Sequence, residues 1–211
     1  GGGPSAGVHE SQSRLWENCV GRSRPFWRFF YPVLQQTFHD QLRGVEIDQF
    51  YAAINCVKPS LIRVEADELT YNLHIMLRFE IEQDLLEDKI QPEDLPAIWN
   101  QKMEKYLGIV PPSDAEGVLQ DIHWSFGACG YFPTYTLGAI TAAQLFDAAT
   151  RADDNVLPGL GRGDFSPLVN WLRANIYSKG SLLPADQLMT KATGRPLDAS
   201  VYERHLRRRY L

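Results

Sequence analysis

The chain has 211 residues, with 44% hydrophobic and 22% charged side chains, which is ordinary globular composition. Its formal net charge of −5 argues against a polyanion such as nucleic acid as the partner. The three cysteines, Cys19, Cys56 and Cys129, are far apart and form no CxxC pair, which disfavours a disulfide framework or a thiolate zinc site. They read instead as buried reduced thiols. No run approaches the roughly 20 apolar residues that a membrane helix needs, and Gly1 to Gly7 has no signal-peptide character.

In chain order the pattern is helical almost throughout. After the opening Gly-Gly-Gly-Pro-Ser-Ala-Gly, residues 9–20 place Glu10, Ser13, Arg14 and Glu17 on one helical face. So abrupt a start predicts a chain that begins inside a domain. Pro25 suits the first turn of a second helix rich in Phe26, Trp27, Phe29, Phe30 and Tyr31. That helix is expected to be deeply buried and bent near Pro32. Asp48 to Val57 reads as a short helix, and Ser60 as the cap of a long one running to about Lys89. Pro92 to Leu107 is the next, closed by Gly108.

Ala115 to Trp124 is again helical in pattern. Gly127 to Pro133 interrupts it, and Tyr135 to Arg151 resumes it. A glycine-containing loop spans Ala152 to Asp164. Asp164-Phe165-Ser166-Pro167 then starts a helix through Tyr177, with Gly180 as its stop, and the last two cover 184–193 and about 198–209. No strand alternation or internal repeat is present. The expected class is all-α, large and irregular, and residues 1–211 are expected to form a single domain portion.

Three stretches carry chemistry-bearing residues. The five histidines (His9, His39, His74, His123 and His205) are never three or four residues apart, so HExxH is absent and no helical turn offers a histidine pair to a metal. Arg63, Asp67, Tyr71 or Thr70, His74 and Arg78 recur at helical spacing, opposite Leu69, Leu73, Met76 and Leu77. This stripe is either a solvated face of weak ion pairs or the polar wall of a cleft. In the second case Arg63 would offer a planar fork to a carboxylate. Gly117 to Trp124 and Gly130 to Tyr135 gather Gln120, Asp121, His123, Tyr131 and Tyr135 around glycines, which allow close approach of backbone and ligand. A lone histidine beside a tryptophan is more often a hydrogen-bonded core residue. The glycines at 159–163 lack the context of a phosphate loop, and the arginines at 204–209 suit a helix C-terminus.

Together these stretches resemble the carboxypeptidase Taq family of zinc metallocarboxypeptidases. His9-Glu10-Ser11-Gln12 looks like its HESQ motif, Ile62 to Asp67 like IRxxAD, and Gly117 to Trp124 like GxxQDxHW. The likeness runs from about Val8 to the C-terminus. It implies the C-terminal portion of a large irregular helical fold, similar to the neurolysin-like metallopeptidases. The implied activity is removal of single residues from peptide C-termini by a cytoplasmic homodimer.

By that resemblance Glu10 is a metal ligand, and Tyr135 and His123 are the catalytic candidates. Arg63 and Tyr131 are substrate-binding, with Tyr131 the rival of Tyr135 as oxyanion-steadying phenol. Asp67, Gln120 and Asp121 support the site. One Zn2+ would be held per complete site, with two histidines and a general-base glutamate from an HExxH segment that this chain lacks. The HPF and DxRxT motifs are absent too, and Tyr177 and Lys179 stand where histidines are expected. The chain alone is therefore expected to bind no zinc and to be inactive, its partners being peptide substrates and the N-terminal portion of the same protein. The alternative is a non-catalytic helical module for dimerisation or peptide binding.

Overall fold

A computed structural model describes residues 3–211. Among them there is no strand, in agreement with the all-α expectation. Two compact units are present: residues 1–55 with 137–211, and residues 56–136.

In the first unit α1 (Ala6–Arg14) starts where Ser5 accepts a hydrogen bond from the Val8 amide at 3.1 Å, a side-chain cap. It continues into a π-helical stretch, Leu15–Gly21, whose Leu15, Cys19 and Val20 are buried. Then come α2 (Arg24–Thr37), α3 (His39–Leu42) and α4 (Ile47–Ile54). Ser23 caps α2, Pro25 sits in its first turn, and the helix runs through Pro32. Of its aromatic residues only Tyr31 is fully buried, while Phe29 is 41% exposed, so the expectation of deep burial is corrected.

In the second unit the long helix begins later than predicted. Ser60 caps nothing. A single 3-10 turn covers Arg63–Glu65, and α5 runs Tyr71–Leu86. The cause is Asp67, whose carboxylate accepts from the Leu69 and Thr70 amides (2.9 Å each), the Thr70 hydroxyl (2.7 Å) and the Lys58 amide (3.1 Å). An aspartate that captures nearby backbone donors competes with helix formation and sets a turn instead. A 3-10 turn at Pro92–Asp94 leads into α6 (Leu95–Leu107), which Gly108 ends in the left-handed region (φ 71°). Helices α5 and α6 bury Leu77, Ile81, Trp99, Met103 and Leu107 against Val118. The helix expected over 115–124 is absent: turns fill this stretch, with one 3-10 turn at Trp124–Phe126.

Helix α7 (Pro133–Ala152) begins among the residues of the second unit and continues in the first. There α8 (Val156–Leu160), α9 (Ser166–Asn175), α10 (Ala185–Thr193) and α11 (Ala199–Tyr210) follow. The predicted 152–164 loop thus holds one short helix. The core of this unit joins Leu15, Leu145, Leu160, Leu168, Leu172 and Leu188, each 0 or 1% exposed. No described helix is long and apolar enough to cross a membrane. Cys19 is buried and Cys56 and Cys129 are exposed, none in a disulfide.

Candidate active site

In the second unit the motif residues converge on Asp121. Arg63 donates to its Oδ1 through Nε (3.1 Å) and Nη2 (2.7 Å). Arg78 donates to its Oδ2 through Nε (2.7 Å), with Nη2 in ion-pair contact at 2.6 Å. One carboxylate therefore serves two guanidiniums, 5% and 0% exposed. Gln120 completes the lattice: its Oε1 accepts from the Arg63 amide at 2.9 Å and from Arg78 Nη2 at 2.8 Å, and its amide nitrogen donates to the Leu61 carbonyl at 3.0 Å. Arg63 Nη1 also donates to the Tyr71 hydroxyl, and Arg78 Nη1 to the His74 carbonyl. These bonds explain why residues 115–124 are not helical. Gln120 and Asp121 spend most of their polar atoms on residues 42 to 59 positions away, although Gln120 also donates to the Glu116 carbonyl one turn back at 3.0 Å.

The electrostatics follow. Burial alone would raise the Asp121 carboxyl, but the Arg63 hydrogen bond and the two guanidinium charges hold it below the usual carboxylate range. Burial lowers Arg78 most, to about 10, so it stays cationic at neutral pH. For Arg63 burial is opposed by the Asp121 hydrogen bond and the neighbouring phenols, and the balance is upward. His74 is fully buried, and neither ring nitrogen makes a hydrogen bond of ordinary geometry among the described residues. Burial first, then Arg78 and Arg63, push it down to about 4.

The solvated-face reading of the 63–78 stripe is thereby corrected. Arg63, Asp67, Tyr71, His74 and Arg78 are all buried, whereas Leu69 and Met76, from the supposed apolar side, are 40% and 47% exposed.

Beside this cluster His123 Nε2 lies 2.9 Å from the Tyr135 hydroxyl. Its Nδ1 is buried without a hydrogen bond, 3.8 Å from Asp121 Oδ1. Burial lowers its pKa, with Asp121 opposing. The Arg63 guanidinium sits 4.8 Å from the centre of the Tyr135 ring, within cation–π range. Tyr131 packs edge-on to Tyr135 at 5.5 Å between centroids, and is the same distance from His123. Arg63, Gln120, Asp121, His123, Tyr131 and Tyr135 are thus brought together. Asp67 is not ion-paired to Arg63; it holds the turn between the Arg63 segment and α5.

Glu82, missed from the sequence, extends the buried stripe by one turn beyond Arg78. Its carboxylate accepts from Trp124 Nε1 (2.8 Å) and from the Gly130 amide, tying down the segment that carries His123 and Tyr131. A lone glutamate on a helix gives little signal. Only continuation of the 63–78 periodicity pointed to it.

Glu10 belongs to the first unit, on α1. Its carboxylate pairs with Arg14 Nε at 3.1 Å, and its side chain is 13% exposed. It packs against α7 so closely that a Cβ on Gly138 would lie 2.9 Å from its Cγ. Gln12, the last residue of the same motif, accepts from the Tyr177 hydroxyl at 3.0 Å. No group of three His, Cys, Asp or Glu able to hold a metal ion occurs among the described residues. Glu10 offers a metal one carboxylate, and the described side chains do not complete a three-ligand centre around it.

Comparison with known proteins agrees with these motifs. The family description "Carboxypeptidase Taq (M32) metallopeptidase" matches residues 1–210. The chain is 46% identical over 206 residues to thermostable carboxypeptidase 1 of Thermus thermophilus, covering 98% of this chain and 40% of that protein. It is 43% identical over 208 residues to carboxypeptidase 1 of Bacillus subtilis, covering 99% and 42%. Among solved structures, a carboxypeptidase from Deinococcus radiodurans superposes with a TM-score of 0.94 at 48% identity, over 100% of this chain and 42% of that one. The chain spans about two fifths of the length of the curated relatives it matches. On the match of 210 residues and the three motifs, the chain belongs to the carboxypeptidase Taq (M32) family of metallopeptidases.

Proposed function

We propose that this chain supplies the substrate-gripping side of a metallocarboxypeptidase that removes single residues from peptide C-termini. Arg63 holds the terminal carboxylate of the peptide. Two of its N–H groups, one on each Nη, remain after the bonds to Asp121 and Tyr71. Fixing the chain end at one cation restricts cleavage to the last peptide bond.

Tyr135 is the phenol that donates to the developing oxyanion, and Tyr131 lies beside it on the substrate side. A preorganised donor in a water-poor site stabilises such charge strongly. His123 Nε2 lies 2.9 Å from the phenol oxygen, and in the tautomer that carries the proton on Nε2 it donates to that oxygen and turns the Tyr135 hydrogen outward to the substrate. Gln120 and Asp121 hold Arg63 from behind, and Asp67 fixes the turn that carries it.

Glu10 is the one residue that this reading assigns to a Zn2+ ion, whose other ligands lie outside this chain. By the same likeness the full-length protein is a cytoplasmic homodimer acting on peptides.

The observation that carries the reading is the buried Arg63–Asp121–Arg78 lattice beside the His123–Tyr135 pair. The test is release of the free C-terminal amino acid from a blocked dipeptide in the presence of zinc. We expect none above background from the chain alone. Joined in one polypeptide to the HExxH-bearing portion of a relative, it should release the amino acid, and Arg63→Met should then raise KM. A folded joined polypeptide that binds zinc and peptide but releases nothing would favour the non-catalytic module.

A further inference from the structure

Asp121 divides its carboxylate unequally from the way a single ion pair would. Arg63 reaches only Oδ1, through both Nε and Nη2, and Arg78 takes Oδ2 by a hydrogen bond from Nε and an ion-pair contact of Nη2. An isolated arginine and aspartate close into a fork with two parallel N–H···O bonds, one to each oxygen. Here the same two Arg63 N–H groups are spent, but Arg78 holds the second oxygen, so one carboxylate charge is shared by two guanidiniums and the three groups keep a net positive charge.

Arg78 is itself spent. It bonds Asp121, Gln120 Oε1 and the His74 carbonyl, lies 4.4 Å from the centre of the Trp99 ring and is 0% exposed, so it has no face to offer a ligand. The nearby buried Glu82 does not relieve either guanidinium. Its oxygens are taken by Trp124 and the Gly130 amide, and it forms no ion pair with Arg63 or Arg78 among the described residues.

We propose that Arg78 is the positioning residue that makes Arg63 a carboxylate receptor, by sharing the single charge of Asp121 and so leaving Arg63 an uncompensated positive charge for a ligand carboxylate. This rests on the assignment of Arg63 to the peptide's terminal carboxylate. The ligand class is an amino-acid α-carboxylate. Arg78 never touches it, and acts through Asp121.

The experiment uses the whole chain and two probes, N-acetylphenylalanine and its C-terminal amide, titrated by NMR to tens of millimolar. The readout is the ratio of the two affinities, because a merely loosened site weakens both probes alike. The wild-type chain should prefer the carboxylate. Arg78→Met should cut that preference roughly tenfold. Arg78→Lys, which can still engage Oδ2, should restore most of it, and Arg63→Met should abolish it. If a folded Arg78→Met chain keeps the preference while Arg63→Met loses it, the role of Arg78 is overturned and that of Arg63 stands. If Arg63→Met keeps the preference, or the wild type shows none, both fall. Where Arg78→Met does not fold, Arg78→Gln decides: it keeps a polar partner for Asp121 but not the charge, so the preference should fall as in Arg78→Met, and a folded Arg78→Gln chain that keeps it overturns the proposal.

Discussion

Asp121 and His74 show how burial converts single residues into consequences that can be measured. Removing Asp121 leaves two guanidiniums in the interior without their shared counter-charge. Breaking one side of a buried pair typically costs about 3–5 kcal/mol, far more than loss of an exposed one. Asp121→Ala should therefore destabilise the chain by about that amount in urea unfolding. Glu203→Ala, which removes the partner of the exposed Arg207, should change it by less than about 1 kcal/mol. Equal effects of the two would show that the lattice is not what holds this region.

His74 titrates near 4 in the folded chain against an ordinary value of 6.5. The unfolded chain takes up that proton first, so stability is intact above the ordinary value and is lost as pH falls toward the folded one. The maximal effect is about 3 kcal/mol between the two. Comparing the wild type with His74→Leu isolates it from the carboxylates that titrate in the same window. The stability gap between the two proteins should shift in favour of the variant as pH falls from about 7 to about 4.5. A gap independent of pH would mean that His74 is not buried neutral beside Arg63 and Arg78.

At the scale of the element, α5 reverses the usual expectation for an amphipathic helix. Its polar stripe faces inward, and part of its apolar face is exposed. Periodicity revealed a two-faced pattern, but hydrophobicity alone did not show that the polar stripe is buried along with Leu77 while Met76 is exposed. Burying charge is tolerated only where partners complete it, and those partners, Gln120 and Asp121, arrive from a loop. A second element-scale feature is the approach of α1 to α7. A Cβ at 138 would meet Glu10 Cγ, Cβ and backbone carbon at 2.9, 3.0 and 3.2 Å. Since part of that obstruction is backbone, Gly138→Ala must push the helices apart, at a cost of about 1–3 kcal/mol. A thermal melt checks this, and an unchanged melting temperature would show that α1 yields freely. The control Gly127→Ala has open space around its Cβ but a φ of 67°, so it should show only the smaller strain of a left-handed residue.

For the molecule as a whole, metal binding should be silent. A ligand that binds only the folded chain raises its melting temperature by mass action. Glu10 offers one carboxylate, already paired with Arg14, so neither zinc nor a chelator should move the melting temperature of this chain. An upward shift with zinc that Glu10→Gln removes would mean that the chain completes a metal site by itself.

What the sequence determined alone was the helical class, from apolar spacing sustained along most of the chain, and the family, from three motifs whose residue types and order are specific. It also singled out Arg63, Gln120, Asp121, His123 and Tyr135, inside or just beyond those motifs, as the candidate site residues. Tertiary structure decided which of them touch. Arg63 meets Asp121 across 58 positions and Arg78 meets it across 43, contacts that no helical period encodes. It also decided that Asp67 holds a turn, that residues 115–124 are not a helix, and that Arg78 and Glu82 belong with the motif residues. The physical reason is common to all four. Local spacing reports which side chains share a face, but a buried polar group settles where its hydrogen bonds can be completed, and here those partners come from distant parts of the chain.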